Sequence, residues 1–324
     1  MPPRQPRRRS IFTVTPFPPR PCCGQPPNGS IPDATQLRVT LYAGQPWLDL
    51  EWSIAQKTPD PWPEAGWLCF PLCADKPSFR LARLGAIVDP ATDLIRSSNH
   101  EVFCLNGGLV VTADNGDRAG ICPIDGQLVS LGRPGLWHYT RDFTPRSADV
   151  FVMLFNNVYS TNFAQWIDGS WSSRVRLWVP RQDESTAETL IGGSWEARDG
   201  CLAAVSDAAP GKLPPTAVGL SITLKSAEGD SAKGASPRGL LVTAFGPNPY
   251  GEGTLLRLWD QAGSAGTCTI GIPAGIKART AQPCDLRGQD VGSPIEISAE
   301  GTFDVTIPHM APASLILQTE STRK

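Results

Sequence analysis

The sequence contains little of what metal, nucleic-acid and membrane sites need. Only three histidines, His100, His138 and His309, occur among 324 residues, which is few for a catalytic zinc centre. The formal net charge is −2, so no basic field is present to attract nucleic acid. No apolar run approaches the roughly 20 residues needed to cross a bilayer. We therefore predict no nucleic-acid partner and no membrane span.

Cysteine is present in an odd number, which does not fit a framework of disulfides. Most of the nine cysteines lie in apolar, strand-like segments, where a free thiol behaves as a small buried hydrophobe. A reducing compartment fits these thiols, and we predict a cytoplasmic location. Cys69 and Cys73 have a CxxxC spacing, but no second pair of ligands follows, so we predict no metal site and no cofactor in this chain.

Proline and glycine interrupt the whole chain. There are 32 prolines and 31 glycines, a density that argues against long helices and favours short strands joined by turns. No segment has a convincing amphipathic helical pattern. A chain of this length is too long for one ordinary domain, so we predict an all-β protein with about two cores.

Alternating segments define the first strands. Leu37, Val39 and Leu41 alternate with polar residues, which is typical of a half-buried strand. In the next run, apolar residues from Leu48 to Ile54 share one face and leave Asp49 and Glu51 on the other. Turn signals then separate further short strands, as expected of an antiparallel sandwich.

Shifts in composition give four regions. We predict a disordered Pro/Arg-rich tail at 1–30, a large antiparallel β-sandwich at 31–182, a connecting segment with a flexible loop at 183–238, and a small β-sandwich at 239–320. The fold prediction is therefore a large antiparallel β-sandwich followed by a smaller one.

The segment after residue 150 carries the main candidate site. A short apolar run, 151–155, is followed at once by amides, aromatics and arginine, a composition that suits sugar recognition. Planar amides and guanidinium groups satisfy hydroxyl pairs, and an indole face covers the C–H side of a pyranose. A packed turn between two strands explains the same residues without any ligand. The carbohydrate-facing candidates are Asn156, Asn157, Asn162, Trp166, Trp171 and Arg174.

Asp49 and Glu51 are a second candidate site. Residues at i and i+2 of a strand share a face, and glycoside hydrolysis uses two carboxyl groups roughly 5 to 9.5 Å apart. A solvated polar face of an antiparallel sheet accounts for the same pair.

Several longer segments resemble one enzyme family. The matching sequences are PWPEAGW at 61–67, FNN at 155–157 with TNF at 161–163, GSWSSRVR at 169–176, GKLPPT at 211–216, TAFGPNP at 243–249 and LLRLW at 255–259. These segments, in this order, resemble the carboxy-terminal part of bacterial glycoside hydrolase family 38 proteins, which are alpha-mannosidase-like. The resemblance extends over about 37–317.

The resemblance implies a fold and a role. In that family an amino-terminal barrel holds the zinc and the catalytic residues, and β-sandwiches, the large one mutarotase-like, pack against it and bring loops to the sugar cleft. No segment of this sequence matches the barrel, so no catalytic residue and no zinc ligand is transferred to it. The implied partners are a mannoside-like carbohydrate and a catalytic barrel domain or subunit.

Three hypotheses for function follow. The first is a non-catalytic β-sandwich portion of an alpha-mannosidase-like hydrolase that shapes the carbohydrate cleft. The second is an autonomous carbohydrate-active enzyme that uses a carboxylate pair such as Asp49 and Glu51. The third is a free-standing lectin-like binder. The sequence leaves open the sugar, its linkage, the oligomeric state, and whether the chain is a fragment, a split-gene product or complete.

Overall fold

The computed structural model describes residues 9–14, 34–135, 142, 144–157, 164–199, 219–225, 238–263 and 266–318. The chain divides into two compact units, Met1–Gly200 and Cys201–Lys324. Within the described residues, all regular elements except one helix are β-strands. The prediction of an all-β fold is therefore confirmed.

The first unit contains twelve strands and the helix in its described part. In chain order they are β1 (Arg9–Val14), β2 (Ala34–Tyr42), β3 (Trp47–Lys57), β4 (Ala65–Phe70), β5 (Ser78–Arg83), β6 (Ala86–Val88), β7 (Phe103–Cys104), β8 (Leu109–Thr112), β9 (Arg118–Pro123), β10 (Leu128–Leu131), β11 (Val150–Asn156), β12 (Gly169–Trp178) and α1 (Thr186–Arg198). Strand β1 lies in the region predicted to be a disordered tail and pairs with β2.

These strands form an antiparallel sandwich. An eight-stranded sheet has the order β1-β2-β3-β12-β9-β8-β5-β6, and a four-stranded sheet has the order β4-β11-β10-β7. Apolar side chains from both sheets meet between them, and burying each one contributes about 1.5–3 kcal/mol. The buried core residues are Phe70, Phe79, Leu81, Phe103, Leu105, Leu109, Val111, Ile121, Val129, Leu131, Ala148, Val150, Val152 and Val175.

Helix α1 covers the outer face of the eight-stranded sheet, where it contacts β5, β8 and β9. Ser185 caps it, because the amide of Glu188 donates to Ser185 Oγ (3.1 Å) and the Ser185 amide donates to the Glu188 carboxylate (3.2 Å). Trp178 is held between sheet and helix. A Cβ atom at Gly120 would lie 2.0 Å from the Trp178 ring, and one at Gly193 would lie 2.5 Å from it. Glycine at both positions thus lets the helix approach the sheet.

The second unit is a smaller antiparallel sandwich. Its strands are β13 (Ser221–Leu224), β14 (Leu240–Pro247), β15 (Thr254–Asp260), β16 (Thr267–Gly271), β17 (Thr280–Cys284), β18 (Ile295–Glu296), β19 (Thr302–Thr306) and β20 (Pro312–Gln318). A three-stranded sheet, β13-β16-β19, faces a five-stranded sheet, β14-β15-β20-β17-β18. Leu256, Leu258, Ile270 and Phe303 are among the core residues between them. The predicted order of a large sandwich followed by a small one is confirmed.

Helix α1 was missed by the sequence analysis. It lies in the region predicted to be a connecting segment, and its buried residues include Gly192, Gly193 and Ser194. Such small side chains give almost no apolar periodicity, so the helical pattern is hidden. The region boundaries from 1–30 to 239–320 stay predictions. No helix of the described chain is long and apolar enough to span a membrane.

Candidate functional site

Four strand ends meet at one end of the first sandwich. Strand β3 ends at Lys57, which lies opposite Gly169 at the start of β12. Strand β11 ends at Asn156, which lies opposite Ala65 at the start of β4. The connections that leave these strands carry most of the residues that the sequence analysis singled out, so this end of the sandwich is the candidate site.

Lys57 is a buried cation at this end, with 7% of its surface exposed. Its ammonium group donates to the carbonyl oxygens of Thr58 (3.2 Å) and Ile167 (2.9 Å) and forms an ion pair with Glu64. The same nitrogen lies 5.6 Å from the centre of the Phe155 ring. All three ammonium donors are therefore used, and together they tie β3 to the segments that precede β4 and β12.

Asn157 makes the second polar connection and is also 7% exposed. Its Oδ1 accepts from the Glu64 amide (2.5 Å), and its own amide donates back to the Glu64 carbonyl (3.0 Å). Its Nδ2 donates to the carbonyl oxygens of Asp60 (3.2 Å), Trp62 (3.0 Å) and Gln165 (3.0 Å). The carboxamide therefore joins the loop before β4 to the loop before β12.

Three aromatic rings pack beneath these connections. The centre of the Trp171 ring lies 5.6 Å from that of Phe155 and 6.1 Å from that of Trp52, and the Phe155 and Trp171 rings meet edge to face. Gly66 lies opposite Phe155 in the ladder, and a Cβ atom there would lie 2.2 Å from the Phe155 ring. Trp171 therefore belongs to an internal aromatic cluster that supports the site from below.

Two other tryptophans face solvent at this end. Trp62 is 68% exposed and Trp166 is 52% exposed. The Trp62 amide donates to the Asp60 carboxylate at 3.0 Å, which forms a tight turn before the exposed ring. Asn157 donates to the carbonyl oxygen of Trp62 itself, and Asn157 and Lys57 donate to the carbonyl oxygens of Gln165 and Ile167, on either side of Trp166. The backbone that carries both indole rings is therefore fixed by hydrogen bonds.

Arg174 points away from this end, onto the outer face of the eight-stranded sheet. Its Nε and Nη2 donate to the two carboxylate oxygens of Asp125, each at 2.8 Å, and its backbone amide donates to Asp125 at 2.9 Å. The side-chain hydrogen bond from Arg174 holds the pKa of Asp125 below its usual range. Because side chains alternate along β12, the next residue, Val175, points to the opposite face and lies in the core.

The Arg174–Asp125 pair predicts a pH-dependent loss of stability. A carboxylate whose pKa is lowered by folding stabilises the protein above its unfolded pKa of about 3.9, and this contribution disappears as pH falls through the folded pKa. Both side chains are more than a third exposed, so Arg174→Met should cost only about 0.5–1 kcal/mol at pH 7. Urea unfolding at pH 7 and at pH 2.5 measures this, and an equal loss at both pH values would contradict it.

The alternative carboxylates, Asp49 and Glu51, lie on the same outer face and are both ion-paired. Asp49 accepts from Arg176 Nε (2.6 Å) and Nη2 (2.9 Å) and from the Tyr42 hydroxyl (2.8 Å). Glu51 accepts from Arg38 Nη1 (3.0 Å). The hydrogen bond with Asp49 raises the pKa of Arg176, which keeps the guanidinium charged. A general acid needs a protonated carboxyl at working pH, and a bidentate arginine opposes that state at Asp49.

The described residues do not suit a zinc ion. No three His, Cys, Asp or Glu side chains of the described chain cluster in a way that would hold a metal. His100 and His309 instead bond to backbone carbonyl oxygens, at 3.3 Å to Ile95 and 3.1 Å to Gly263. Burial raises the pKa of Cys122 to about 12, so its thiol stays protonated.

The candidates for carbohydrate contact therefore separate into three groups. Asn156, Asn157 and Trp166 lie at the candidate end, Trp171 lies below it, and Arg174 lies on the outer face of the sheet. Asn162 lies outside the described residues. Their contact with sugar stays a prediction. Sequence reasoning missed Trp62 as a candidate, although the proline on each side of it already predicts an exposed turn.

Comparison with models of known protein families and with curated proteins finds no match. Solved structures with a similar fold include two from Enterococcus faecalis. An alpha-mannosidase from Enterococcus faecalis V583 is 12% identical, with a TM-score of 0.60 over 88% of this chain and 29% of that chain. A glycosyl hydrolase family 38 protein from Enterococcus faecalis is 13% identical, with a TM-score of 0.60 over 88% of this chain and 30% of that chain.

These likenesses are limited to the fold, and the chain spans about 30% of the length of the two proteins. A putative aldose 1-epimerase from Escherichia coli K12 is 12% identical over 45% of this chain and 60% of that chain, with a TM-score of 0.25. A TM-score this low does not establish a shared fold, so the mutarotase-like character of the large sandwich stays a prediction. What is established is that this chain has the fold of part of a family 38 structure.

Proposed function

We propose that this chain is the non-catalytic β-sandwich portion of an alpha-mannosidase-like glycoside hydrolase. The observation that carries the proposal is the fold match, which covers 88% of this chain but only 29–30% of the two Enterococcus faecalis chains. A match with these proportions is expected of a chain that corresponds to one part of a larger enzyme. In this role the chain shapes part of a carbohydrate cleft, and the catalytic residues that hydrolyse the glycosidic bond belong to another domain or subunit.

The partners in this proposal are a mannoside-like carbohydrate and a catalytic barrel, present as a domain or as a separate subunit. The chain would correspond to the carboxy-terminal region of the hydrolase, and the barrel would bind the zinc. The six free cysteines of the described chain support a reducing, cytoplasmic location.

The carbohydrate-facing end in this proposal is the one where β3, β4, β11 and β12 meet. It combines exposed indoles with backbone that two buried polar side chains hold in place. Precise placement of a few groups on a rigid scaffold is what ligand binding requires. Of the described candidates, Asn156 and Trp166 are the residues we assign to sugar contact, with Trp171 supporting them from inside the sandwich. The assignment of Asn162 rests on the sequence alone.

Hydrolysis of an aryl alpha-mannoside tests the non-catalytic assignment. We expect no turnover by the purified chain with or without added zinc, and therefore no further change in the double variant Asp49→Asn, Glu51→Gln. The physical reason is that arginine holds both carboxylates as ion pairs on a sheet face. Zinc-independent turnover that the double variant abolishes would overturn the assignment and make the chain an enzyme in its own right.

A further inference from the structure

We propose that Trp62 and Trp166 together form a saccharide-stacking surface, here called the tryptophan rim, and that Lys57 and Asn157 position it. This inference rests on the proposed function and deepens it, because it names the residues by which the carbohydrate-facing end holds a sugar ring. It adds Trp62 as a contact residue. It also gives two buried polar side chains a role in binding.

Exposure is the first observation. Trp62 and Trp166 are the tryptophans of the described chain that expose more than half of their surface, at 68% and 52%. Other tryptophans of the first unit are used inside it, as Trp52 and Trp171 are in the aromatic cluster. A large indole left in water forgoes the free energy of its own burial. Exposed apolar side chains that lie close together are a feature of ligand-binding surfaces.

Shared anchoring is the second observation. One atom, Asn157 Nδ2, lies 3.0 Å from the carbonyl oxygen of Trp62 and 3.0 Å from that of Gln165. Those two oxygens are therefore at most about 6 Å apart, a limit set by two hydrogen-bond lengths. Trp166 follows Gln165 directly, so the two indoles start from neighbouring points of backbone.

Trp166 is fixed on both sides. The carbonyl before it accepts from Asn157 Nδ2, and the carbonyl after it, that of Ile167, accepts from Lys57 Nζ at 2.9 Å. Both donors are buried: Lys57 is the last residue of β3, and Asn157 directly follows the last residue of β11. Ordering a loop in advance lowers the entropy lost on binding, so Lys57 and Asn157 act as positioning residues for the rim.

The chemistry around the rim selects a saccharide as its occupant. Asp60, whose carboxylate accepts from the Trp62 amide, lies two residues before Trp62. Gln165 directly precedes Trp166 and Asp168 lies two residues after it, and both of these side chains are exposed. A pyranose has an apolar C–H face that covers an indole and a ring of hydroxyl groups that need such acceptors and donors. Since two indoles are available, the surface suits an oligosaccharide of neutral sugars rather than one monosaccharide.

The test measures binding of an alpha-linked mannotriose to the full chain by NMR, with the indole N–H signals of the tryptophans as the readout. We expect the Trp62 and Trp166 signals to shift, and Trp62→Ala or Trp166→Ala to weaken binding about tenfold each. Both rings are exposed, so the melting temperature should not change. Ile95→Ala removes another exposed side chain, 81% exposed, and should leave affinity as in the wild type.

The positioning role has its own readout. At a temperature where its circular dichroism remains native, Lys57→Met should shift the Trp166 indole signal and weaken binding, whereas Lys57→Arg, which keeps charged donors, should retain affinity. If the wild type binds mannotriose and the Trp62→Ala and Trp166→Ala variants bind it equally well, this inference is overturned but the proposed function stands. No saccharide binding by the wild type would overturn both. A wild-type dimer that these variants dissociate would show that the rim holds a second copy instead.

Discussion

Lys57→Met should lower the free energy of unfolding by about 2–4 kcal/mol. The substitution keeps the length of the side chain but removes the cation that pairs with Glu64 and the ammonium donor that bonds to the carbonyl oxygens of Thr58 and Ile167. Glu64 is 31% exposed and recovers some hydration, so the loss stays below that of a fully buried pair. Urea unfolding followed by tryptophan fluorescence measures the change.

Two further variants make this prediction specific. Lys76→Met removes an exposed lysine of the same unit and should change stability by no more than about 0.5 kcal/mol. Glu64→Gln combined with Lys57→Met should cost less than the sum of the single changes, because the double variant leaves no unpaired carboxylate. If the urea midpoint of Lys57→Met equals that of the wild type, the buried ion pair does not stabilise the unit.

Asn157→Asp should have an effect of similar size, about 2–4 kcal/mol. The new side chain has the same shape, but a carboxylate cannot donate to the carbonyl oxygens of Asp60, Trp62 and Gln165. It would also place a negative charge among three acceptors in a nearly buried position. The loops that carry Trp62 and Trp166 should then separate, so we expect a change in native tryptophan fluorescence as well as a lower urea midpoint.

Asn99 provides the matched control. Its Oδ1 accepts from the amides of Glu101 (2.9 Å) and Val102 (3.2 Å), and the side chain is exposed. Asn99→Asp keeps both acceptors and should therefore leave stability within about 0.5 kcal/mol of the wild type. Equal losses of unfolding free energy in Asn99→Asp and Asn157→Asp would mean that the hydrogen bonds donated by Asn157 do not contribute to stability.

The strands of the first sandwich were predictable because their signal is local. The alternation from Leu48 to Ile54 predicts which side chains enter the core, and in the structure Trp52 and Ile54 are buried while Asp49 and Glu51 pair with arginines on the other face. The helix was not predicted, because its contact with the sheet depends on Gly193 and on Trp178. Its capping box, Ser185 to Glu188, was the one usable signal.

The sequence indicates the region of the candidate site but not its geometry. The residues after β11 lie at the end of the sandwich where β3, β4, β11 and β12 meet, yet Arg174 bonds to Asp125, 49 positions away, and the spacing of residues in the sequence does not predict that pairing. Lys57 was hidden for another reason. Gln56 has a φ of 53°, which breaks the alternation of β3 just before Lys57, so a lysine expected on the solvent face is turned into the interior.

The most direct test of the central claim is a calorimetric titration of the purified full chain with alpha-linked mannotriose, followed by chromatography of the sugar recovered from the cell. A carbohydrate-facing but non-catalytic chain predicts a saturable heat of binding and intact trisaccharide. Absence of binding would contradict the carbohydrate-facing role, and recovery of mannose and mannobiose would contradict the non-catalytic one.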